Sequence, residues 1–282
     1  MKWNAKSNML TLLMAAVLMV TAGCGSNNEA DGKGASDGST GAAASPAAGS
    51  SLSDIKERGK LVIATGNYYP FEFLDPKTQK LVGYDIDLGH KIAEKLGVEV
   101  EWKEMQFTAL IPSVQNGQVD MGIAAMYITD ERKKAVDMSD VYMKTGMSLV
   151  KRSDDDSVHS VEDLAGKAVG VKSGATSEVA AEELKKQGVD LEVKAYKDTT
   201  DYLMDLQLGR VDAAFNDYLN QLGYNKQHAE AGLEIVGEPF TEAGLGLAVK
   251  KGNTELLEAA NEVIKEMEES GEADALYEKW LK

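Results

Sequence analysis

The sequence is poor in the residues that build metal sites and covalent cross-links. Cysteine occurs once among 282 residues, at Cys24, so no internal disulfide can form. Histidine occurs three times, at His90, His159 and His228, far apart along the chain. No Cys/His cluster has zinc spacing, and no HExxH, GxSxG or GxxxxGK(S/T) run is present. Neither a bound metal, a cofactor nor a catalytic set is therefore expected. Basic residues are also short: 30 Lys and Arg stand against 46 Asp and Glu, a formal net charge of −16. That balance excludes nucleic acid as a partner, because neutralising phosphates needs clusters of Lys and Arg. The apolar run Met9 to Val20, MLTLLMAAVLMV, falls short of the roughly 20 residues that a membrane-spanning helix needs. The twelve methionines lie partly in that run, and the others are expected as core filler rather than as metal ligands.

What the N-terminal end does contain is ordered as an export signal. Lys2 and Lys6 precede the apolar run, and small residues lead to Thr21-Ala22-Gly23-Cys24. This end resembles the lipobox of bacterial lipoproteins, although Thr21 stands where Leu is commoner. The resemblance implies removal of residues 1–23 and a lipid on Cys24, which would hold the protein to the extracytoplasmic face of the cell membrane. Two acyl chains suffice for stable anchoring where one is marginal. Loss of Lys2 and Lys6 makes the chain more acidic still, which suits a protein held near an anionic surface but not against it. After Cys24, residues up to 50 carry almost no large apolar side chain. Such a segment cannot offset its ordering entropy and reads as a flexible tether, so 24–50 are assigned to a lipidated Cys and linker.

From Ser51 onward, about 230 residues remain, enough for two lobes of ordinary size. Strand and helix signals alternate, which implies parallel sheets flanked by helices. The first series runs through a strand at Leu61–Thr65 and a helix capped by Asp85, in which Leu88, Ile92 and Leu96 recur before Gly97. A strand at Val98–Met105, a helix at Thr108–Asn116 and a strand at Val119–Ala125 follow. His90 falls opposite the apolar face of its helix and is expected in solvent. The second series places strands at Ala168–Lys172, Leu191–Tyr196 and Val211–Phe215, with helices at Thr176–Gln187 and Thr199–Leu208. The two series share a turn. Val114-Gln-Asn-Gly-Gln-Val-Asp120 in one answers Leu206-Gln-Leu-Gly-Arg-Val-Asp212 in the other, each a helix end, a Gly suited to the left-handed position and a Val-Asp strand start. Two such α/β lobes side by side would leave a cleft at the carboxyl ends of their strands, where such sheets bind ligands.

Several further motifs fall in order along the chain: Tyr69-Pro-Phe-Glu-Phe73, Leu81-Val-Gly-Tyr-Asp-Ile-Asp-Leu88, Leu110-Ile-Pro112, Ile128-Thr-Asp-Glu-Arg-Lys-Lys134, Gly170-Val-Lys-Ser-Gly174 and Tyr277-Glu-Lys-Trp280. In this the chain, over about residues 52–282, resembles the polar amino-acid-binding proteins of ABC importers, family 3 of the bacterial extracellular solute-binding proteins. The resemblance implies an α/β, two-lobed periplasmic-binding-protein fold of type II. Lobe 1 would comprise 51–143 plus 246–282, lobe 2 would comprise 147–240, and two crossovers at Gly146–Val150 and Glu242–Val249 would form the hinge. It also implies a monomer that serves a membrane permease and an ATPase and is itself no enzyme.

A free amino acid carries a carboxylate and an ammonium, and burying both demands an opposing partner for each. Arg132 suits the carboxylate, because its planar fork donates two parallel hydrogen bonds. The N–H groups of the Gly174–Ser177 turn, at a helix start, suit the same anion. By resemblance, Thr176 N–H takes the second carboxylate oxygen, Asp217 and the Ala125 carbonyl take the ammonium, and Tyr68 and Phe107 sandwich the side chain. Tyr127 stands where relatives commonly carry Ser or Thr. The relatives for basic ligands and glutamine have an Asp after the first strand where this chain has Gly66-Asn67, and Lys172 matches a pocket lysine of the glutamine binders. A neutral or acidic side chain is therefore expected, unless Glu72 points inward and supplies a negative charge. Two other readings remain: a dehydratase acting on cyclic dienyl acids on the same fold, and a sensor domain, which would need a transmembrane helix after Lys282.

Overall fold

A computed structural model describes residues 51–282; Cys24, the signal run and the tether lie outside the described residues. The chain enters through α1 (Leu52–Arg58), whose start is closed by reciprocal Ser51 and Asp54 bonds and whose end is turned by Gly59. Strand β1 (Lys60–Thr65) is buried from Leu61 onward, as befits an apolar run inside a sheet covered on both faces. A hairpin of β2 (Phe73–Leu74) and β3 (Leu81–Val82) leads into α2 (Tyr84–Leu96). Then come β4 (Glu99–Glu104), α3 (Phe107–Gln115), β5 (Met121–Gly122), α4 (Asp130–Ala135), β6 (Asp137–Met138) and β7 (Met143–Thr145). The second series is β8 (Met147–Arg152), β9 (Ala168–Lys172), α5 (Thr176–Lys186), β10 (Glu192–Tyr196), α6 (Thr199–Gln207), β11 (Ala213–Asp217), α7 (Tyr218–Gln227) and β12 (Leu233–Val236). The chain returns through β13 (Ala243–Leu245) and β14 (Ala248–Val249) and finishes in α8 (Thr254–Ser270) and α9 (Glu272–Leu281).

Two five-stranded sheets result, in the orders β4-β1-β5-β14-β6 and β10-β9-β11-β8-β12. Each has a parallel half and an antiparallel half. β1 runs parallel to β4 and β5, and β9 to β10 and β11; β14 and β8 enter against the grain. The first sheet contains a strand from after the second, so the chain crosses between lobes twice. One crossing is Gly146, between β7 and β8, where a side chain would stand 2.1 Å from the Thr241 carbonyl of the returning segment. The Thr241 hydroxyl accepts the Met147 N–H at 2.9 Å, so the crossings support each other.

The repeated turn extends to its hydrogen bonds. Gly117 and Gly209 both take φ near 70°, at 68° and 70°, two residues past the ends of α3 and α6. The aspartate that follows bonds the parallel neighbouring strand of its own sheet in both lobes: Asp120 Oδ2 accepts Val62 N–H at 2.8 Å, and Asp212 Oδ2 accepts Ala168 N–H at 2.8 Å.

Two expectations are corrected. Asp85 does not cap α2; Gly83 is the cap, and Asp85 turns inward from the first helical turn to the Ala125 N–H. The strand expected at Val119–Ala125 pairs regularly only at Met121–Gly122, because the chain bends at Ala125, whose φ is 44°. Val119 is buried all the same, which is why its apolar signal resembled a strand. His90 is exposed, edge-on to Trp102.

Candidate functional site

Where the carboxyl ends of the two sheets face each other lies a cavity of about 40 Å³. It is lined by all eight positions singled out from sequence: Tyr68, Phe107, Ala125, Tyr127, Arg132, Lys172, Thr176 and Asp217.

Arg132 is delivered by the first turn of α4, whose cap Thr129 accepts the Arg132 N–H at 3.2 Å. Its guanidinium reaches across the cleft. Nη1 donates to the Tyr127 carbonyl of lobe 1 at 2.7 Å and Nη2 points at the Gly174 carbonyl of lobe 2 at 3.5 Å. The group lies 5.2 Å from the Phe107 ring centre. Burial lowers its pKa to about 10, with no carboxylate among the causes. Opposite stands the start of α5, where Ala175 is the cap and provides no side-chain bond, and Thr176 is the first helical residue. Such a helix start favours an anion.

Asp217 closes β11 and caps α7: its Oδ1 accepts the N–H groups of Leu219 at 2.9 Å and Asn220 at 3.1 Å. Its Oδ2 accepts two hydroxyls, from Tyr127 of lobe 1 and from Thr145 just before the crossing, both at 2.7 Å. Burial raises its pKa; the four neutral donors pull it back, and it forms no ion pair among the described residues. The cavity therefore holds the buried anion Asp217 and the half-buried cation Arg132, which do not neutralise each other, with Lys172 as a second cation in its wall. The Tyr127 phenol belongs to the Asp217 end of the cavity; only its backbone carbonyl serves Arg132. Burial, then Asp217, pushes its pKa up, so it remains a donor.

The side-chain slot between Tyr68 and Phe107 is occupied by the protein's own Lys172, whose Nζ lies 4.5 Å and 4.9 Å from the two ring centres. Burial depresses the Lys172 pKa, opposed by Glu72 and Asp198. Glu72 does point inward, but beyond the cavity wall: it is fully buried, with a carboxylate oxygen 3.4 Å from where a Gly66 side chain would begin.

Residues that sequence reasoning missed complete the site. Asn216 bridges the lobes: its Oδ1 accepts Tyr68 and Tyr202 hydroxyls at 3.0 and 2.9 Å, and its Nδ2 donates to Asn220 and Gln221 at 2.6 and 2.8 Å. Its place beside Asp217 was the available signal. Thr145, on Asp217, lies in β7 just before the crossing and carried no pattern of its own.

The sequence pattern of "Bacterial extracellular solute-binding proteins, family 3" matches residues 61–282. The L-cystine-binding protein TcyJ of Escherichia coli is 36% identical over 232 residues, 82% of this chain and 85% of that one. The glutamine-binding protein GlnH of Bacillus subtilis is 32% identical over 278 residues, 97% and 96% of the two chains. An ancestral arginine-binding protein solved with arginine superposes with a TM-score of 0.76 at 46% identity, covering 80% of this chain and 99% of that one.

Proposed function

The chain belongs to the bacterial extracellular solute-binding proteins of family 3, and from that premise we propose that it captures a polar amino acid outside the cytoplasm and hands it to an ABC importer. One observation carries the reading: the half-buried Arg132 and the buried Asp217, charges of opposite sign that form no ion pair among the described residues, line a single cavity between the lobes. A zwitterion supplies both missing partners at once, which a plain carboxylic acid does not. Its carboxylate lies on Arg132 and the Thr176 N–H, and its ammonium on Asp217 and the Ala125 carbonyl. Ligand contacts from both lobes favour the closed form by differential affinity. Lobe 1 is taken as 51–143 plus 246–282 and lobe 2 as 147–240, with no catalytic role for either.

The relatives divide among cystine, glutamine and arginine, so the slot's own charges decide the side chain. Lys172 lines the slot and Glu72 does not. A cationic tip 4 Å from Lys172 would meet repulsion of about 4 kcal/mol at an effective dielectric of 20. The preferred ligand therefore has a neutral or acidic side chain. Calorimetric competition among glutamine, glutamate, cystine, arginine and lysine tests this. Tighter binding of arginine or lysine than of every other candidate overturns the charge argument; binding of none of them, or turnover of a cyclic dienyl acid to an aromatic product, overturns the function. Anchoring through Cys24 is part of the same proposal, and a Cys24→Ser protein that stays fully membrane-bound in its host would refute it.

A further inference from the structure

Behind the cleft floor lies a pair of acids that amino-acid capture leaves unused. Glu72 is completely buried, and neither of its oxygens meets a donor. Asp85 is buried as well; its Oδ2 accepts the Ala125 N–H at 2.6 Å and the Tyr142 hydroxyl at 3.1 Å, while Oδ1 has no donor. Two adjacent carboxylates in so dry a place cannot both ionise. Burial, then Asp85, pushes Glu72 well above the usual carboxylate range, so Glu72 holds the proton. Burial raises Asp85 to about 6, and the Ala125 N–H, the Tyr142 hydroxyl and Glu72 keep it from rising further. Three oxygens lack a donor from the rest of the protein, and one shared proton bridges two of them, from Glu72 to Asp85.

The bond from Asp85 ends on a residue under backbone constraint. Ala125 has φ of 44°, a left-handed conformation that alanine seldom takes. Such outliers persist where surrounding contacts over-determine them. Ala125 also lines the cavity together with Asp217.

We propose that the Glu72–Asp85 pair, without touching the ligand, holds the Ala125 peptide in its left-handed turn and makes amino-acid affinity depend on the proton the pair shares. The proposal rests on the amino-acid reading. With one proton, the pair presents a carboxylate to Ala125 and the carbonyl stays aimed at the ammonium. A second proton weakens that charge-assisted bond and frees the peptide to turn. Other groups face the pair: Tyr142, Tyr84 and Tyr68, all pushed upward and neutral, and the Lys172 ammonium on the Glu72 side. Asp217 titrates against the ligand directly, so its effect persists when the pair is altered.

Calorimetry at pH 5 to 7.5 tests this with whichever of glutamine, glutamate or cystine binds at pH 7. Wild type is expected to weaken about tenfold from pH 7 to pH 5. Asp85→Asn should bind more weakly at pH 7 and vary by less than about threefold over that range. Glu72→Gln, whose amide donates to Asp85 as the protonated carboxyl does, should remain within about threefold of wild type at pH 7. A profile in Asp85→Asn parallel to that of wild type overturns the proposal. Should Asp85→Asn fail to fold, the ligand-free wild type decides: the Ala125 amide proton should move with a midpoint near pH 6, and an amide indifferent to pH between 5 and 7 overturns it. No binding by any amino acid at any pH would instead strike the parent reading, and the Ala125 titration would then decide the pair alone.

Discussion

Arg132 and Asp217 are both held in the cleft at a cost to the ligand-free protein, since neither has an ionic partner there. Replacement should separate binding from stability. Arg132→Ala and Asp217→Asn are each expected to weaken amino-acid binding by about 2–5 kcal/mol. The melting temperature of ligand-free Arg132→Ala should stay level or rise, because a half-buried charge without an ionic partner has gone. Asp217→Asn keeps an oxygen for the cap of α7 and should leave the fold intact. Calorimetry with thermal melts of the same samples checks both; near-wild-type affinity in either variant removes that residue from the site. The eight positions named from sequence line one cavity because residue type and motif order carry that much. The sequence did not show the direction of a side chain. Asn216 and Asp217 are adjacent, yet one bridges Tyr68 and Tyr202 while the other caps a helix. Tyr127 offers its phenol to one pole and its carbonyl to the other.

Among the elements, helices and strands with clear periodicity were legible to within a residue or two, as in β9 and the stops at Gly97, Gly117 and Gly209. Legibility failed where a tertiary bond overrode a local rule. Asp85 has the position and chemistry of a cap, but the buried Ala125 N–H outcompetes the helix start for it. The turn shared by the two lobes hides a difference that single variants expose. Asp120 is fully buried and bonds both the Val62 N–H and Arg58, at 2.8 and 2.5 Å. Asp120→Ala should cost about 3–5 kcal/mol, as removal of one member of a buried ion pair does. Asp212 is less buried and holds the Ala168 N–H, so Asp212→Ala should cost about 1 kcal/mol. Urea unfolding with matched m-values measures both; equal losses would show that the two turns bear the same load.

For the molecule as a whole, buried acids set a pH trend opposite to common acid denaturation. Asp85 is raised from 3.8 to about 6, so the folded state holds its proton more tightly than the unfolded state. Its contribution to stability is full below pH 3.8 and is lost as pH rises through about 6, at most about 3 kcal/mol across that window. Asp217 adds in the same direction. Ligand-free protein should therefore melt higher at pH 5 than at pH 7, and Asp85→Asn should flatten the difference. Identical pH slopes in the two proteins by calorimetry would refute the assignment.

The order of strands in the two sheets also governs the order in which the chain can become a protein. β8 to β12 follow one another without interruption, so the second sheet is complete once residue 236 is available. The first sheet waits for β14, which inserts between β5 and β6, and for the tail, where Trp280 Nε1 donates to Asp87 on α2 at 2.7 Å. During directional synthesis or export the middle of the chain can therefore mature first, while the earlier-made segment stays sticky and dependent on chaperones until the last helix arrives. A fragment ending at residue 240 should show protected amides in β8–β11 and exchange freely in β1 and β5; protection of β1 in that fragment would break the inferred sequence of events.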